Sequence, residues 1–305
     1  MPIVFPRAFQ YCVVVLALSI HASTGQAQSA SVIDKLKAGK PLEVGIREAT
    51  KPFSWFPEGS KVPTGYSVEI CNGAIEHVKK DLKLRELTVN YVPVNSTSRM
   101  AKIKSREIDM ECGITVNTES RQKDADFSYA LFISGQQVLS RRSAGITDLS
   151  SLNGKIIAIT KGTTAEKLFP QLRDSMLQQM RLVTFASNQE AFKALESGQV
   201  QGFAQIDVVL ETMRIQSAQA NELVMTKESL SVEPNSIMLP KDDPEFRKLV
   251  NAGLRKLYAS PAMGAIYKRW FQADGFNIPM SRMLRESFNS PAGNAGVALI
   301  LGYSL

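Results

Sequence analysis

The chain has 305 residues, of which 44% are hydrophobic and 21% charged, and its formal net charge is +7 at pH 7. This composition is that of a globular protein with one large or two medium domains, and it excludes a chain too polar to fold. Lysine and arginine are scattered among glutamate and aspartate, so no basic block indicates a nucleic-acid surface. We therefore expect no nucleic-acid partner.

Residues 1–27 predict a secretory signal peptide. Arg7 precedes the apolar stretch YCVVVLALSI, which is too short to span a bilayer. Gly25 and Ala27 then have the spacing of a signal-peptidase site before Gln28. An N-terminal membrane anchor is the alternative, but it needs a longer apolar run. We expect an exported protein.

Strand patterns alternate with helical patterns along the mature chain. The predicted strands are 42–47, 87–92, 108–112, 156–160, 182–185, 202–206, 223–225 and 237–239. The clearest helix follows Asp243, with Pro244 at its first position and apolar residues along one face. This alternation predicts an α/β fold with mostly parallel sheets.

Two predicted helix starts carry an arginine where the helix dipole disfavours a cation. Thr118 is a good N-cap in NTESRQ, yet Arg121 stands where a capping box would have glutamate or glutamine. In NSTSRM, Asn95 or Ser96 would cap a helix that carries Arg99 in its first turn. The unfavourable interaction is roughly 0.3–1 kcal/mol for each arginine. An anionic ligand would compensate for it.

The stretches NSTSRMAKIKSREIDMECGIT and SNQEAFKALESGQVQGFAQID share one plan of capped helix, turn, short strand and polar residues at the carboxyl end of the strand. Two such halves predict two α/β lobes that face each other across a cleft, because open α/β sheets bind ligands at the carboxyl ends of their strands.

Polar residues at these strand ends and helix starts are the candidate ligand contacts. They include Arg47, Arg99, Thr115, Arg121, Thr160, Gly162, Thr163, Thr164 and Asp207. Helix N-termini bind anions, arginines bind carboxylates in bidentate pairs, and a lone aspartate can hold an ammonium. An amino acid presents both charges.

Two cysteines and one histidine remain after the signal, namely Cys71, Cys112 and His77. In an oxidising compartment the cysteines either form a disulfide or are two small buried hydrophobic residues. A single histidine excludes a His-rich metal site and argues against a Ser-His-Asp triad. We expect neither a metal nor a cofactor.

Several segments in this order and spacing resemble the periplasmic amino-acid-binding proteins of ABC importers, and within that group the glutamate/aspartate-binding proteins. They are VGIREATKPFSW, GYSVEI, SRMAKIKSREIDMECGITVNTESRQKDADFS, LNGKIIAITKGTTAEKL and LESGQVQGFAQID. The resemblance runs from about Leu36 to about Phe276. It implies a monomeric, periplasmic protein of two lobes joined by two crossover strands, which closes around one amino acid and delivers it to a membrane permease.

The resemblance also implies roles for the anion-binding residues. Arg121 matches the arginine that holds the ligand α-carboxylate, helped by Thr163 and by the backbone amides of the turn that contains Thr164. Arg47 and Arg99 match positions that meet the side-chain carboxylate. Each arginine has a structural alternative in an ion pair with an acidic neighbour or a solvated surface position.

The ammonium site follows from the same resemblance. Asp207 matches the acid that takes the α-ammonium, together with a backbone oxygen or hydroxyl near Gly113 and Thr115. The alternative for Asp207 is a cap on the helix that follows it, and the two roles are compatible.

This chain departs from the acidic-amino-acid binders at two places. They have a histidine near the start of a helix in the second lobe, where this chain has Asn188. They also have several hydroxyl residues together after the glycine, where this chain keeps Thr115 between apolar Ile114 and Val116. Asparagine can still donate to a carboxylate, so glutamate or aspartate remains the expected ligand over glutamine or a related acid.

Crossovers near 132–135 and 231–234 follow from this fold. They predict lobe 1 as 28–132 with 233–290, lobe 2 as 133–232, and a C-terminal tail of no assigned role at 291–305.

Two other classes of protein stay open. Dehydratases that act on prephenate-like acids share this architecture, and they need a general acid or base, for which Glu48 and Glu111 are the nearby candidates. An extracytoplasmic sensing module is the third class, and it usually belongs to a longer chain with a transmembrane helix.

Overall fold

The computed structural model describes residue 1, residues 31–273 and residues 275–292. Apart from residue 1, the predicted signal peptide lies outside the described residues, as does the predicted tail from residue 293 onward.

Helices and strands alternate along the described chain. The helices are α1 (Val32–Lys37), α2 (Tyr66–Asp81), α3 (Arg99–Lys104), α4 (Glu119–Gln122), α5 (Ala165–Ser175), α6 (Asn188–Glu196), α7 (Asp207–Gln216), α8 (Pro244–Tyr258), α9 (Pro261–Phe271) and α10 (Arg282–Asn289). The strands are β1 (Leu42–Arg47), β2 (Ala49–Thr50), β3 (Ser54–Trp55), β4 (Val89–Val94), β5 (Met110–Val116), β6 (Ala125–Ser134), β7 (Gln136–Arg141), β8 (Ile156–Thr160), β9 (Arg181–Phe185), β10 (Gly202–Ile206), β11 (Leu223–Met225) and β12 (Glu233–Pro240).

Two five-stranded sheets form the framework, one for each lobe. The sheet of lobe 1 has the order β4-β1-β5-β12-β6, and the sheet of lobe 2 has the order β11-β7-β10-β8-β9. Strand β1 is parallel to both neighbours, whereas β12 is antiparallel to β5 and β6, and β7 is antiparallel to β10 and β11. The prediction of mostly parallel sheets was therefore wrong. The sheets are mixed because the strands next to the crossovers run against the others.

The chain passes between the two sheets at Gly135 and again before β12. A side chain at Gly135 would lie 2.6 Å from both the Ser229 side chain and the Ser231 carbonyl oxygen, so the two crossing segments lie side by side. Sheet membership agrees with the proposed lobes, whose limits in the sequence stay predictions.

The core of lobe 1 is aromatic and carries a disulfide. Phe53, Tyr66, Phe132 and Phe271 contact one another with ring centroids 4.9–6.1 Å apart. Cys71 of α2 is bonded to Cys112 of β5, with Cα atoms 6.1 Å apart. The strand that leads to the cleft is thus fixed covalently to the helix behind it.

No helix among the described residues is long and apolar enough to cross a membrane.

Candidate functional site

Three arginines of lobe 1 converge on one cavity in the cleft. Arg47 is the last residue of β1, Arg99 is the first residue of α3, and Arg121 lies in α4. All three line a cavity of about 30 Å³. Arg47 and Arg99 are only 8% and 3% exposed, which is unusual for arginine outside an ion pair.

Local sequence sets two of these positions. The Thr118 hydroxyl accepts a hydrogen bond from the Arg121 N–H at 3.4 Å, so the predicted cap of α4 is present. The predicted cap of α3 was wrong, because its N-cap is Ser98. Asn95 instead forms the turn before the helix, where its side-chain oxygen accepts from the N–H groups of Thr97 and Ser98.

The surroundings of the three guanidinium groups disfavour their positive charge. Burial is the main cause that lowers the pKa of each, and for Arg99 the charges of Arg47 and Arg121 lower the pKa further. The carboxylate of Glu111 acts in the opposite direction and raises the pKa of Arg99. A ligand with two negative groups would relieve this repulsion.

Glu111 lies behind the arginines rather than in the cavity wall. It is fully buried, and one of its oxygens accepts from the Thr115 hydroxyl at 2.8 Å. A side chain at Gly113 would lie 2.0 Å from the Glu111 carboxylate and 2.8 Å from the Arg47 side chain. Gly113 thus lets the acid and Arg47 approach each other across β5.

The Thr115 hydroxyl is directed to Glu111, while a ligand contact through a backbone oxygen near Gly113 or Thr115 stays a prediction. Side chains alternate along a strand, and Thr115 points with Glu111 away from the cavity. Its neighbours Ile114 and Val116 line the cavity instead. The cavity wall contributed by β5 is therefore apolar.

Lobe 2 provides the opposite wall through Thr163, Thr164, Asn188 and Gln205. The Thr163 hydroxyl donates to the Thr160 carbonyl oxygen at 2.6 Å, and the Asn188 side-chain oxygen accepts from Gln205 at 2.8 Å. These hydrogen bonds hold the Thr163 and Asn188 side chains in place within lobe 2.

The Thr164 hydroxyl bonds to residues next to the two crossovers between the sheets. It donates to the Glu233 carboxylate at 2.9 Å and accepts from the Gln136 amide at 2.9 Å. Glu233 is 5% exposed, and burial raises its pKa. Sequence reasoning missed Glu233, because its partners come from segments almost 70 and 100 residues away.

Asp207 lies next to the cavity but does not line it. Asp207 is the first residue of α7, and its carboxylate accepts the Val208 N–H at 2.7 Å. The N-cap of this helix is Ile206, so the cap foreseen as the alternative role of Asp207 is not present. Burial raises its pKa to about 6, and the charge of Glu233 adds to the shift. Among the described residues, no Lys, Arg or His forms an ion pair with it.

Hydrogen bonds cross the cleft from lobe 1 to the loop after β8. Arg99 and Arg121 both donate from Nη2 to the Gly162 carbonyl oxygen, each at 3.0 Å, and the Ser96 hydroxyl donates to the Lys161 carbonyl oxygen at 2.7 Å. The structure is therefore a closed form. Sequence reasoning treated Ser96 only as a cap, although its spacing of three from Arg99 places both on one side of a turn.

A larger cavity of about 570 Å³ lies on the other side of Arg121. Arg121, Thr163 and Thr164 line both cavities. The two cavities therefore share side chains from both lobes.

Comparison with known proteins assigns the chain to a family. Residues 42–273 match the model of bacterial extracellular solute-binding proteins, family 3. The chain belongs to this family. It is 30% identical to the glutamate/aspartate import solute-binding protein of Escherichia coli, over 92% of this chain and 96% of that protein. It is 31% identical to the L-glutamate/L-aspartate-binding protein of Pseudomonas aeruginosa, over 92% and 95%.

Solved structures share the fold of this family 3 protein. An ancestral arginine-binding protein bound to glutamine superposes with a TM-score of 0.67 at 23% identity, over 76% of this chain and 98% of that chain. A Streptococcus pneumoniae substrate-binding protein with bound histidine gives a TM-score of 0.71 at 18% identity, over 82% and 100%. An ancestral amino acid-binding protein described as a precursor of cyclohexadienyl dehydratase gives 0.67 at 23% identity, over 79% and 99%.

Within the described residues, no group of three or more His, Cys, Asp or Glu side chains is placed to hold a metal ion.

Proposed function

We propose that this family 3 protein is the periplasmic binding component of an ABC importer and captures an acidic amino acid, glutamate or aspartate. The observation that carries the proposal is the convergence of Arg47, Arg99 and Arg121 on one small cavity between the lobes. The two similar bacterial proteins named for glutamate and aspartate support the choice of ligand.

The proposed ligand lies between the two lobes. Arg121, with Thr163 and the amides of the following turn, holds the α-carboxylate. Arg47 and Arg99 hold the side-chain carboxylate, since a guanidinium binds a carboxylate through paired N–H donors. Arg99 uses one donor on the Gly162 carbonyl oxygen, whereas Arg121 uses one there and another, from Nη1, on the Val116 carbonyl oxygen at 2.9 Å. A guanidinium has five N–H donors, and the remaining ones are proposed to bind the ligand.

Asp207 is proposed to act on the ligand ammonium from outside the cavity wall, so that its contribution to binding is small. Its carboxylate is largely buried and has no cationic partner among the described residues, and desolvation raises its pKa to about 6. An ammonium group beside it would favour the charged carboxylate. Asn188 adds a side-chain amide to the lobe 2 wall.

Capture is proposed to proceed by hinge closure about the two crossovers, followed by delivery to the membrane permease. Residues 1–27 are the proposed signal peptide, and the mature protein is proposed to act as a monomer without a cofactor. The proposal includes no catalytic step. Glu48 is exposed, and Glu111 is buried behind the arginines outside the cavity wall, so neither is placed as a general acid or base.

A thermal-shift screen of the twenty amino acids on the dialysed mature protein, followed by titration calorimetry, tests this function. Glutamate or aspartate should give the largest shift. Stabilisation by none of the amino acids, or a larger shift with arginine or lysine, would overturn the proposal. Incubation with acidic metabolites and analysis of the products should show no turnover.

A further inference from the structure

The cavity wall next to the arginines lacks groups suited to an ammonium ion. Ile114 and Val116 come from β5, and Ile206 and Val209 come from the β10–α7 junction. An ammonium needs hydrogen-bond acceptors, and an apolar wall provides none.

The side-chain acceptors of Thr115, Asp207 and Asn188 have other partners or lie outside the cavity wall. The Thr115 hydroxyl donates to Glu111 on the opposite face of β5. Asp207 is outside the cavity wall and accepts the Val208 N–H, while the Asn188 oxygen accepts from Gln205. These contacts leave the amine of a bound amino acid with fewer partners than its carboxylates.

The donors, in contrast, are in excess. The Nε atoms of Arg47 and Arg99 are buried without a hydrogen-bond partner among the described residues. Both side chains are more than nine-tenths buried, and both line the cavity with Arg121. Unpaired buried N–H groups of this kind are strong sites for carboxylate oxygens.

We propose that the cavity selects its ligand by two carboxylates and gains little from the amine, so that α,ω-dicarboxylates without an amine form a second ligand class. The inference rests on the proposed function, because it uses the same three arginines, and it specifies which ligand groups they recognise. The apolar wall then packs against the methylene chain that joins the two carboxylates.

Three matched ligands test the proposal by titration calorimetry on the dialysed mature protein. L-Glutamate has all three charged groups, glutarate lacks the amine, and L-2-aminopentanoate has a methyl group in place of the side-chain carboxylate. Glutarate should bind within about tenfold of L-glutamate, whereas L-2-aminopentanoate should bind at least about 100-fold more weakly.

The outcomes separate this inference from the proposed function. Binding of L-glutamate with more than about a tenfold loss for glutarate would overturn the inference and leave the proposed function intact. Binding of glutarate without L-glutamate would support the inference and refute the amino-acid ligand. Binding of neither would overturn both.

A substitution in the wall provides a second test. Val116→Thr places a hydroxyl group of nearly the same shape beside the ligand, where it can accept from an ammonium. It should raise the ratio of L-glutamate to glutarate affinity several-fold, whereas Val224→Thr in β11, outside the cavity wall, should leave the ratio unchanged. An unchanged ratio in Val116→Thr, with both ligands still bound, would overturn the role assigned to the apolar wall.

Discussion

Arg121 of lobe 1 donates from Nη2 to the Gly162 carbonyl oxygen of lobe 2 at 3.0 Å, and Arg99 donates to the same oxygen at the same distance. Two cations thus meet at one backbone oxygen across the cleft. The residues proposed to hold the ligand also hold the lobes together, so lobe closure and ligand binding depend on the same atoms.

Gly162→Ala should prevent full closure. Gly162 has φ of 76°, and a Cβ atom there would lie 2.3 Å from the Ser96 carbonyl oxygen of the other lobe. Affinity for L-glutamate should fall by more than about tenfold, since closure completes the cavity. Calorimetry measures the affinity, and small-angle scattering shows whether ligand still makes the protein more compact.

Gly154→Ala is the matched control for this clash. Gly154 also has φ of 76°, but a Cβ atom there would meet only the Gln179 side chain, at 4.0 Å. Both substitutions place alanine at a positive φ and cost about 1 kcal/mol of backbone strain. Only Gly162→Ala also introduces a clash in the cleft. Equal effects of the two substitutions on affinity would contradict the proposed closure.

Arg121→Ala should weaken binding of L-glutamate by about two to three and a half decades. Removal of one member of a buried charge pair leaves the other desolvated and unpaired, which costs roughly 3–5 kcal/mol. Calorimetry measures the change, and Arg85→Ala, which replaces an exposed arginine, is the control. An affinity equal to that of the control would remove Arg121 from the binding site.

Arg99→Ala should affect acids more than amides. If Arg99 holds the side-chain carboxylate, its loss weakens glutamate and aspartate more than glutamine and asparagine, because an amide has no charge for the guanidinium to stabilise. The four affinities in the variant and the wild type give the comparison. Equal losses for both classes would exclude Arg99 from side-chain recognition.

The stability of the ligand-free protein should depend on pH through the ionisation of Asp207. Burial raises its pKa from 3.8 to about 6, with Glu233 adding to the shift and Tyr267 also coupled to Asp207 electrostatically. Between about pH 4 and about pH 6 the folded state therefore holds a proton that the unfolded chain releases, and the free energy of unfolding contributed by Asp207 falls by roughly 2–3 kcal/mol as the pH rises.

Urea unfolding of the wild type and of Asp207→Asn across this pH range measures that contribution. Glu233 also has a raised pKa and interacts electrostatically with Asp207, so the difference between the two proteins measures Asp207 together with that interaction. The variant should gain stability relative to the wild type as the pH rises. Parallel curves would show that the carboxylate ionises at its ordinary pKa.

Loss of the disulfide should destabilise the fold. Cys71 and Cys112 are 41 residues apart, and a cross-link of this loop length stabilises the folded state by about 4 kcal/mol in the chain-entropy model. Cys71→Ala combined with Cys112→Ala should lower the free energy of unfolding by about 2–4 kcal/mol. The wild type in excess reductant should show a similar loss, and unfolding unaffected by both treatments would contradict the prediction.

Local patterns predicted the exact bounds of four strands and missed four others. The observed bounds of β1, β8, β10 and β11 match the predicted segments. Strands β2, β3, β6 and β7 were not predicted. The first two have only two residues each, whereas β6 pairs with β12 about one hundred residues later and is separated from β7 only by Gly135. A pairing partner so far along the chain adds nothing to the hydrophobic pattern of the short sequence window from which a strand is predicted.

The candidate site shows a similar limit. Sequence and resemblance selected Arg47, Arg99 and Arg121, which the structure brings to one cavity. They did not settle which face of β5 meets the ligand, and Thr115 lies on the face away from it. A shift of one residue along a strand moves a side chain to the other face of the sheet. The sequence therefore left open whether Thr115, or its apolar neighbours Ile114 and Val116, would face the ligand.

The position of β12 affects the order in which the two lobes can fold. It pairs with β5 on one side and β6 on the other, so the sheet that carries the three arginines lacks an interior strand until residues 233–240 are in place. Lobe 2, by contrast, draws all five strands from one uninterrupted stretch between residues 136 and 225. As the chain emerges from its amino end, lobe 2 can be completed first, and the arginine-bearing lobe is the last to acquire its native shape.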